Sequence, residues 1–347
     1  MKVLSLFDGV AGCRQALKEL NIDCEYYGSE IDKYAIQVAK DNHPDINHIG
    51  DVKGLVIEDD WLFYNQNNDP MQNGASFKAN FDLLIGGSPC QDLSIAKKNR
   101  KGLQGDRSSL FYEYLRILNE VKPKYFILEN VASMSKESKE IITKELFNID
   151  PIMINSALLT AQNRKRLYWV GKLIDGEYKQ VKIEQPEDQK IYLKDIIEKN
   201  VDEKYYIKLN QNRQQKYNKI KTDTKKLNCL TEAIGRGGSS SEFLTSCKKI
   251  TNIAHRVGHF NKGGQGDRVY SMNGKSVCLS ANGGGRGAKT GLYEIDNITR
   301  KLTPTECERL QGFPDNYTDG ISNTQKYKSL GNSFTVPVIK HILTNLK

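Results

Sequence analysis

The sequence predicts an α/β protein built on a doubly wound, mostly parallel sheet with a second, smaller domain. Three observations predict it. A short apolar strand runs into the glycine turn Asp8-Gly9-Val10-Ala11-Gly12 and then a helix. Strands and helices alternate from there to Leu173. From about Asp175 to Thr299 that alternation gives way to lysine-, asparagine- and glycine-rich sequence.

Lys2 to Phe7 is the first strand, and Ala16, Leu17 and Leu20 mark the buried face of the first helix. A glycine turn between a first strand and a first helix is where a doubly wound fold receives a nucleotide. The second strand, Cys24 to Gly28, ends at Ser29-Glu30. An acid about 20 residues beyond the glycine turn is placed to hold ribose hydroxyls. Asp32 is expected to cap the helix Lys33 to Asn42. Ile46 to Gly50 reads as a third strand ending at Asp51, and the polar stretch Asp59 to Asn80 as a loop or insertion. The apolar run Phe81 to Ile85 ends in Gly86-Gly87, and a helix follows from about Ser109 to Val121. The strand Tyr125 to Leu128 leads into Glu129-Asn130-Val131. A helix from about Ser135 to Phe147 and strands near Ile152 to Leu158 and Arg166 to Leu173 complete the alternation.

The net charge of +9 over 347 residues suggests a polyanionic partner. No apolar run is long enough to span a bilayer and no signal-peptide pattern opens the chain, so a cytoplasmic protein without a membrane partner is expected. The 7 cysteines are scattered without a CxxC pair, and His255 and His259 lack nearby ligands, so neither a disulfide framework nor a metal is expected.

Pro89-Cys90 ends the run that begins at Phe81. A cysteine on such a turn stands at the carboxyl edge of the sheet, where open α/β folds bind ligands, and Pro89 fixes the backbone before it. Gln91 to Arg107 follows as a loop rich in cations, with Lys97, Lys98, Arg100, Lys101 and Arg107, and with Gly102 and Gly105 as hinge candidates. Arg164 and Arg166 alternate along Gln162-Asn163-Arg164-Lys165-Arg166, so an extended backbone points both the same way.

Taken in order, these pieces resemble the DNA (cytosine-5) methyltransferases of bacteria and phages. The matching motifs are Phe7-Asp8-Gly9-Val10-Ala11-Gly12, Glu30, Asp51, Gly87-Ser88-Pro89-Cys90-Gln91, Glu129-Asn130-Val131 and Gln162 to Arg166. Arg309-Leu310-Gln311-Gly312-Phe313-Pro314 and Gly331-Asn332-Ser333 close the series. The resemblance implies the S-adenosylmethionine-dependent methyltransferase fold, with S-adenosylmethionine as cofactor and double-stranded DNA as partner. It implies a monomer, with a cognate restriction endonuclease as a candidate companion.

The implied reaction needs a nucleophile that is also a good leaving group, and a thiolate is both. Cys90 is assigned as that nucleophile, adding to carbon 6 of cytosine so that carbon 5 can attack a methyl donor. Glu129 is assigned as the acid at ring nitrogen 3, on the expectation that burial at a strand end raises its pKa. The resemblance makes Arg166 the partner of the cytosine carbonyl oxygen and of Glu129. It gives Arg164 either the substrate pocket or the DNA backbone. It assigns the cofactor to Phe7, Asp8, Gly9, Gly12, Glu30, Asp51, Pro89, Asn332 and Ser333. Phe7 would stack on adenine, Glu30 meet the ribose and Asp51 the adenine amino group. Gln91, Ser94, Lys97, Lys98 and Arg100 would contact DNA as the loop closes on a flipped base.

The expected domains are 1–174 for catalysis and cofactor, 175–325 for target recognition, and 326–347 returning to the first. Within the second, the glycine loops around Gly235-Arg236-Gly237-Gly238 and Gly283-Gly284-Gly285-Arg286-Gly287 make Arg236 and Arg286 the candidates for reading bases. Thr303-Pro304-Thr305-Glu306 has the spacing of a capping box.

Overall fold

The computed structural model describes residues 1–64, 75–88, 110–207, 217–219, 253–281, 287, 289–296 and 298–346. The chain opens with β1 (Lys2–Leu6), α1 (Gly12–Glu19), β2 (Glu25–Ser29), α2 (Lys33–Asn42) and β3 (Asn47–His48). Next come β4 (Val56–Glu58), β5 (Trp61–Tyr64) and β6 (Ala75–Lys78). Then β7 (Leu83–Gly87), α3 (Leu110–Val121), β8 (Tyr125–Val131), α4 (Lys136–Glu145), β9 (Ile152–Asn155), β10 (Lys165–Ile174) and β11 (Glu177–Gln180) follow. A second group holds β12 (Tyr217–Lys219), β13 (Arg256–Phe260), β14 (Arg268–Ser271), β15 (Leu292–Ile295) and β16 (Ile298–Arg300). The chain closes with α5 (Pro304–Gln311), α6 (Asn323–Asn332) and α7 (Val336–Thr344).

The main sheet has the order β11-β10-β8-β7-β1-β2-β3, with β9 also on β10. From β3 to β8 its neighbours are parallel, while β10 runs antiparallel to β8, β9 and β11. Period-2 alternation places each strand's side chains on opposite faces. Leu4, Leu6, Phe126, Leu128 and Trp169 enter one core. Val3, Ile127, Tyr168 and Val170 enter the other. The chain steps from β1 to one side through β2 and β3 and to the other through β7 and β8. The carboxyl ends of β1 and β7 therefore flank the topological switch point, where such sheets bind ligands.

Helix starts follow the sequence. Asp32 accepts from the N–H groups of Tyr34 and Ala35 at the head of α2, as expected. Ser135 caps α4, and Thr303 and Glu306 close a capping box on α5.

Of the two readings of Asp59 to Asn80, the plain loop is corrected: β5 and β6 lie within it and form a separate three-stranded antiparallel sheet with β4, as an insertion can. Leu62 is buried there while Trp61 and Phe63 stay exposed, so only one face gains from burial and the stretch reads as polar.

The expected domain limits also move. β11 still pairs with β10 in the main sheet, and Ile183 and Leu193 belong to its core, so the first body does not end at 174. Its return begins near α5 rather than at 326. Gln162 donates to Leu310 O at 3.3 Å and Gln311 Oε1 at 3.1 Å, and Tyr317 donates to Val10 O at 2.8 Å. The second body is the five-stranded sheet β12-β13-β14-β15-β16. Its Tyr270, Tyr293 and Ile295 share one hydrophobic core with Val3 and Ile127.

Arg300 and Glu306 join that sheet to α5 as a buried bidentate pair, at 2.8 and 2.6 Å. Glu306 also accepts from the N–H groups of Thr303 and Glu198. Arg300→Met is expected to lower unfolding free energy by about 3–5 kcal/mol, because it strands a buried carboxylate. Urea denaturation of the full chain measures this, and a change within experimental error would contradict it.

Candidate active site

Four segments converge at the carboxyl edge of the main sheet. The first is the turn after β1. Phe7, Gly9 and Ala11 all adopt left-handed backbone, with φ of 58°, 59° and 60°. Two of the three carry side chains, a cost that persists where surroundings over-determine it and that concentrates at functional sites. The surroundings here are Asp8 N–H on Ser29 O at 3.0 Å and Gly9 N–H on Glu30 Oε2 at 2.8 Å. The head of α1 has no side-chain cap and no acid in its first turn.

The second segment is the end of β2. Glu30 Oε1 accepts from the N–H groups of Ile31 and Asp32 while Oε2 holds the turn. Asp51, one strand over, uses Oδ1 to accept from Lys53 N–H at 3.1 Å.

The third segment is formed by the ends of β7 and β8 with the start of β10. Glu129 lies opposite Gly87 on one side and Tyr168 on the other. Arg166 sits two residues before Tyr168 on the same face, a diagonal neighbour of Glu129. Its Nε donates to Glu129 Oε1 at 2.8 Å, with both side chains largely shielded. A Cβ on Gly87 would come within 3.1 Å of both Glu129 Oε2 and the Phe334 ring, so glycine keeps this corner open. Asn130 donates to Ser88 Oγ at 3.1 Å, and its own Oδ1 accepts from Val131 N–H, fixing the strand end.

The fourth segment is the C-terminal closing motif. Arg164 is 3% exposed and donates to Gly331 O at 3.2 Å and Ser333 O at 3.0 Å. Those contacts hold the motif in place, and they turn this guanidinium away from a DNA backbone outside the protein. Ser333 is buried and donates to Leu330 O, while Asn332 is exposed at the end of α6. Arg164 Nη1 also reaches Cys278 Sγ at 3.6 Å. Desolvation opposes ionisation of that thiol, and Arg164 and Arg166 outweigh it and lower its pKa overall.

The sequence-predicted residues Phe7, Asp8, Gly9, Gly12, Glu30, Asp51, Glu129, Arg164, Arg166, Asn332 and Ser333 all lie at this edge or immediately beneath it. Asp8 lies beneath: its carboxyl group is 3% exposed and points to Tyr26, so it supports the turn from below. Pro89, Cys90, Gln91, Ser94, Lys97, Lys98, Arg100, Lys101, Gly102, Gly105, Arg107, Arg236 and Arg286 lie outside the described residues.

The C-5 cytosine-specific DNA methylase family model matches residues 1–347. The chain belongs to that family. This DNA (cytosine-5) methyltransferase is 30% identical over 356 residues to the Type II methyltransferase M.HhaI of Haemophilus parahaemolyticus, covering 100% of this chain and 94% of the relative. It is 28% identical over 450 residues to the orphan methyltransferase M.SPRI of Bacillus phage SPR, covering 100% and 97%. Among solved structures, the methyltransferase EhMeth of Entamoeba histolytica matches with a TM-score of 0.64 at 19% identity, covering 100% of this chain and 97% of that one. A putative DNA modification methyltransferase from an E. coli prophage matches with a TM-score of 0.58 at 22% identity, covering 100% and 98%. Both share the fold.

Three residues of this methyltransferase that sequence reasoning left without a role join its parts. Phe334 packs against both Gly12 and Gly87. Gln162 links α5 to the second body, donating to Leu310 O and accepting from Leu279 N–H at 2.9 Å. Cys278 meets Arg164 across that joint. Phe334 and Gln162 adjoin or belong to recognised motifs, which was the available signal; Cys278 carried none. Among the described residues no His, Cys, Asp and Glu cluster suits a metal, and no helix is long and apolar enough to cross a membrane.

Proposed function

We propose that this methyltransferase transfers a methyl group from S-adenosylmethionine to carbon 5 of a flipped-out cytosine in duplex DNA, through a covalent adduct with Cys90. The observation that carries the reading is the shielded Glu129–Arg166 pair, one strand from the β7 end that leads into Pro89-Cys90. In this reading the Cys90 thiolate forms a bond to carbon 6. The negative charge spreads toward nitrogen 3 and the carbonyl oxygen, where Glu129 supplies a proton and Arg166 a guanidinium. After carbon 5 is methylated its proton passes to water, the sulfur–carbon 6 bond breaks to release the Cys90 thiolate, and nitrogen 3 returns its proton to Glu129. Arg164 acts as a positioning residue, holding Gly331 and Ser333 beside the site.

The residues at the switch point suit the cofactor, which supplies the methyl group when bound. The uncapped head of α1 offers N–H groups to a carboxylate, and Gly9 brings its backbone close. Glu30 and Asp51 stand where the ribose and adenine would lie. Asn332 and Ser333 would close that pocket, with Phe7 and Pro89 as further contacts.

Duplex DNA as partner is supported by the net charge of +9 and by the β13–β14 hairpin, whose Lys262 and Arg268 are exposed beside a glycine-rich turn. Base reading is assigned to this second body, with Arg236 and Arg286 as its candidates. The loop after Cys90, with Gln91, Ser94, Lys97, Lys98 and Arg100, is assigned to closure on DNA. Relatives named Type II methyltransferases support a cognate restriction endonuclease as companion. The enzyme is taken to act as a monomer.

Incubation with methyl-labelled S-adenosylmethionine and either duplex DNA or transfer RNA tests the reading, followed by single-base sequencing for 5-methylcytosine. Label is expected in duplex DNA at a fixed sequence. Label confined to transfer RNA, or to an exocyclic amino group, would overturn it.

A further inference from the structure

The turn that receives the cofactor in this reading stands on an incompletely satisfied carboxyl group. Asp8 is 3% exposed. Tyr26 on β2 donates its hydroxyl to Oδ1 at 2.6 Å, while Oδ2 has no hydrogen-bond partner. Ser5 on β1, whose own hydroxyl is unpartnered, faces the same carboxyl group. Glycine at position 28 makes the room, since a Cβ there would lie 2.9 Å from Oδ2. The titratable groups facing Asp8 are Tyr26 on β2, Glu30 just beyond it, Cys13 on α1 and Tyr317 from the C-terminal segment. Arg14 on α1 is held by Asp45 at 2.8 Å.

We propose that Asp8 is a positioning residue that carries a proton whenever the turn Phe7–Ala11 is shaped to receive cofactor, so that ionisation of Asp8 weakens cofactor binding. The proposal rests on the S-adenosylmethionine reading above. Ionised, Asp8 would be a carboxylate buried at 3% exposure and close to the Glu30 charge, which is costly even with the Ser5 and Tyr26 hydroxyls turned toward it. That charge repels Glu30, the group that holds the turn through Gly9 N–H, so ionisation loosens the turn. A protonated Asp8 instead donates to Ser5 while accepting from Tyr26, and both orphan oxygens are satisfied. The electrostatics agree. Burial pushes the Asp8 carboxyl up to about 7, against the nearby hydroxyls of Ser5 and Tyr26 and with help from the Glu30 charge.

Calorimetric titration with S-adenosylhomocysteine across neutral pH tests the coupling in the wild type, Asp8→Asn and Tyr26→Phe. Wild-type Kd is expected to be flat below about pH 7 and then to weaken about tenfold per pH unit. Asp8→Asn should bind with no such dependence. Tyr26→Phe should move the midpoint upward, because the lost hydroxyl favoured the carboxylate. A wild-type Kd that stays flat above the midpoint, or an Asp8→Asn protein with the wild-type slope, would overturn the proposal.

Thermal melting without cofactor gives a second readout. Below the ordinary carboxyl value of 3.8 Asp8 is protonated in both folded and unfolded chains. Between there and about 7 only the folded chain keeps the proton, so stability falls as pH rises and then levels off. The wild type should therefore lose melting temperature relative to Asp8→Asn over that window. Parallel melting curves would refute a protonated Asp8. Divergent curves with no S-adenosylhomocysteine binding in any form would instead remove the cofactor reading and this coupling with it.

Discussion

Replacing Cys90 with alanine is expected to abolish methyl transfer while duplex binding stays measurable. Carbon 5 of cytosine is a poor nucleophile until a group adds at carbon 6. Among the described residues Cys13 and Cys307 are buried, while Cys278 is exposed beside Arg164 with its thiol pKa lowered, so it is the thiol from which Cys90 has to be distinguished. The loss should therefore reach the background of the assay, unlike the partial loss from a displaced contact. DNA carrying 5-fluorocytosine separates nucleophile from bystander. The fluorine cannot leave as a proton does, so the wild type should remain joined to the DNA and survive denaturing electrophoresis. A joined species in the alanine variant would move the nucleophile elsewhere, with Cys278 the first to examine by peptide mapping.

The second large effect is expected at Glu129. Glu129→Gln preserves shape and a hydrogen-bond donor but removes the acid, and turnover should fall by at least about 100-fold, the scale of one acid–base contribution. The variant also loses the charge that draws Arg166 to 2.8 Å, so two groups meant for the cytosine change together. Affinity for S-adenosylhomocysteine should barely move, because none of the groups assigned to the cofactor lies on β8 or β10. Single-turnover rates measured beside that affinity make the comparison. Near-normal chemistry in a folded variant would leave Glu129 as a partner of Arg166 alone.

Much of the site was legible because its parts are local. The turn after β1, the acid ending β2 and the Glu129-Asn130 strand end each lie within a few residues of the element that presents them. The Asp32 cap and the Thr303–Glu306 box follow from hydrogen bonds that span two or three residues. The illegible parts depend on partners far away in the chain. Arg164 alternates with Arg166 as an exposed DNA contact would, yet its partners stand 167 and 169 residues further on. Asp8 sits within a cofactor motif, and only the register of β1 against β2 turns its carboxyl group toward Tyr26. The main-sheet core runs past the expected limit at 174 for the same reason. Composition changes near residue 175, but burial of Ile183 and Leu193 is decided by the main sheet.

Beside the side-chain contacts of Arg300, Cys278 and the shared core, part of the joint between the two bodies is made by main-chain groups of the second one. Gln162 accepts from Leu279 N–H, Ser276 N–H donates to Ala161 O, and Asn163 N–H donates to Ser276 O. These three contacts do not depend on which side chains stand at positions 276 and 279. Under the proposed assignment of base reading to the second body, its outer surface can change while these main-chain contacts keep the two bodies in register.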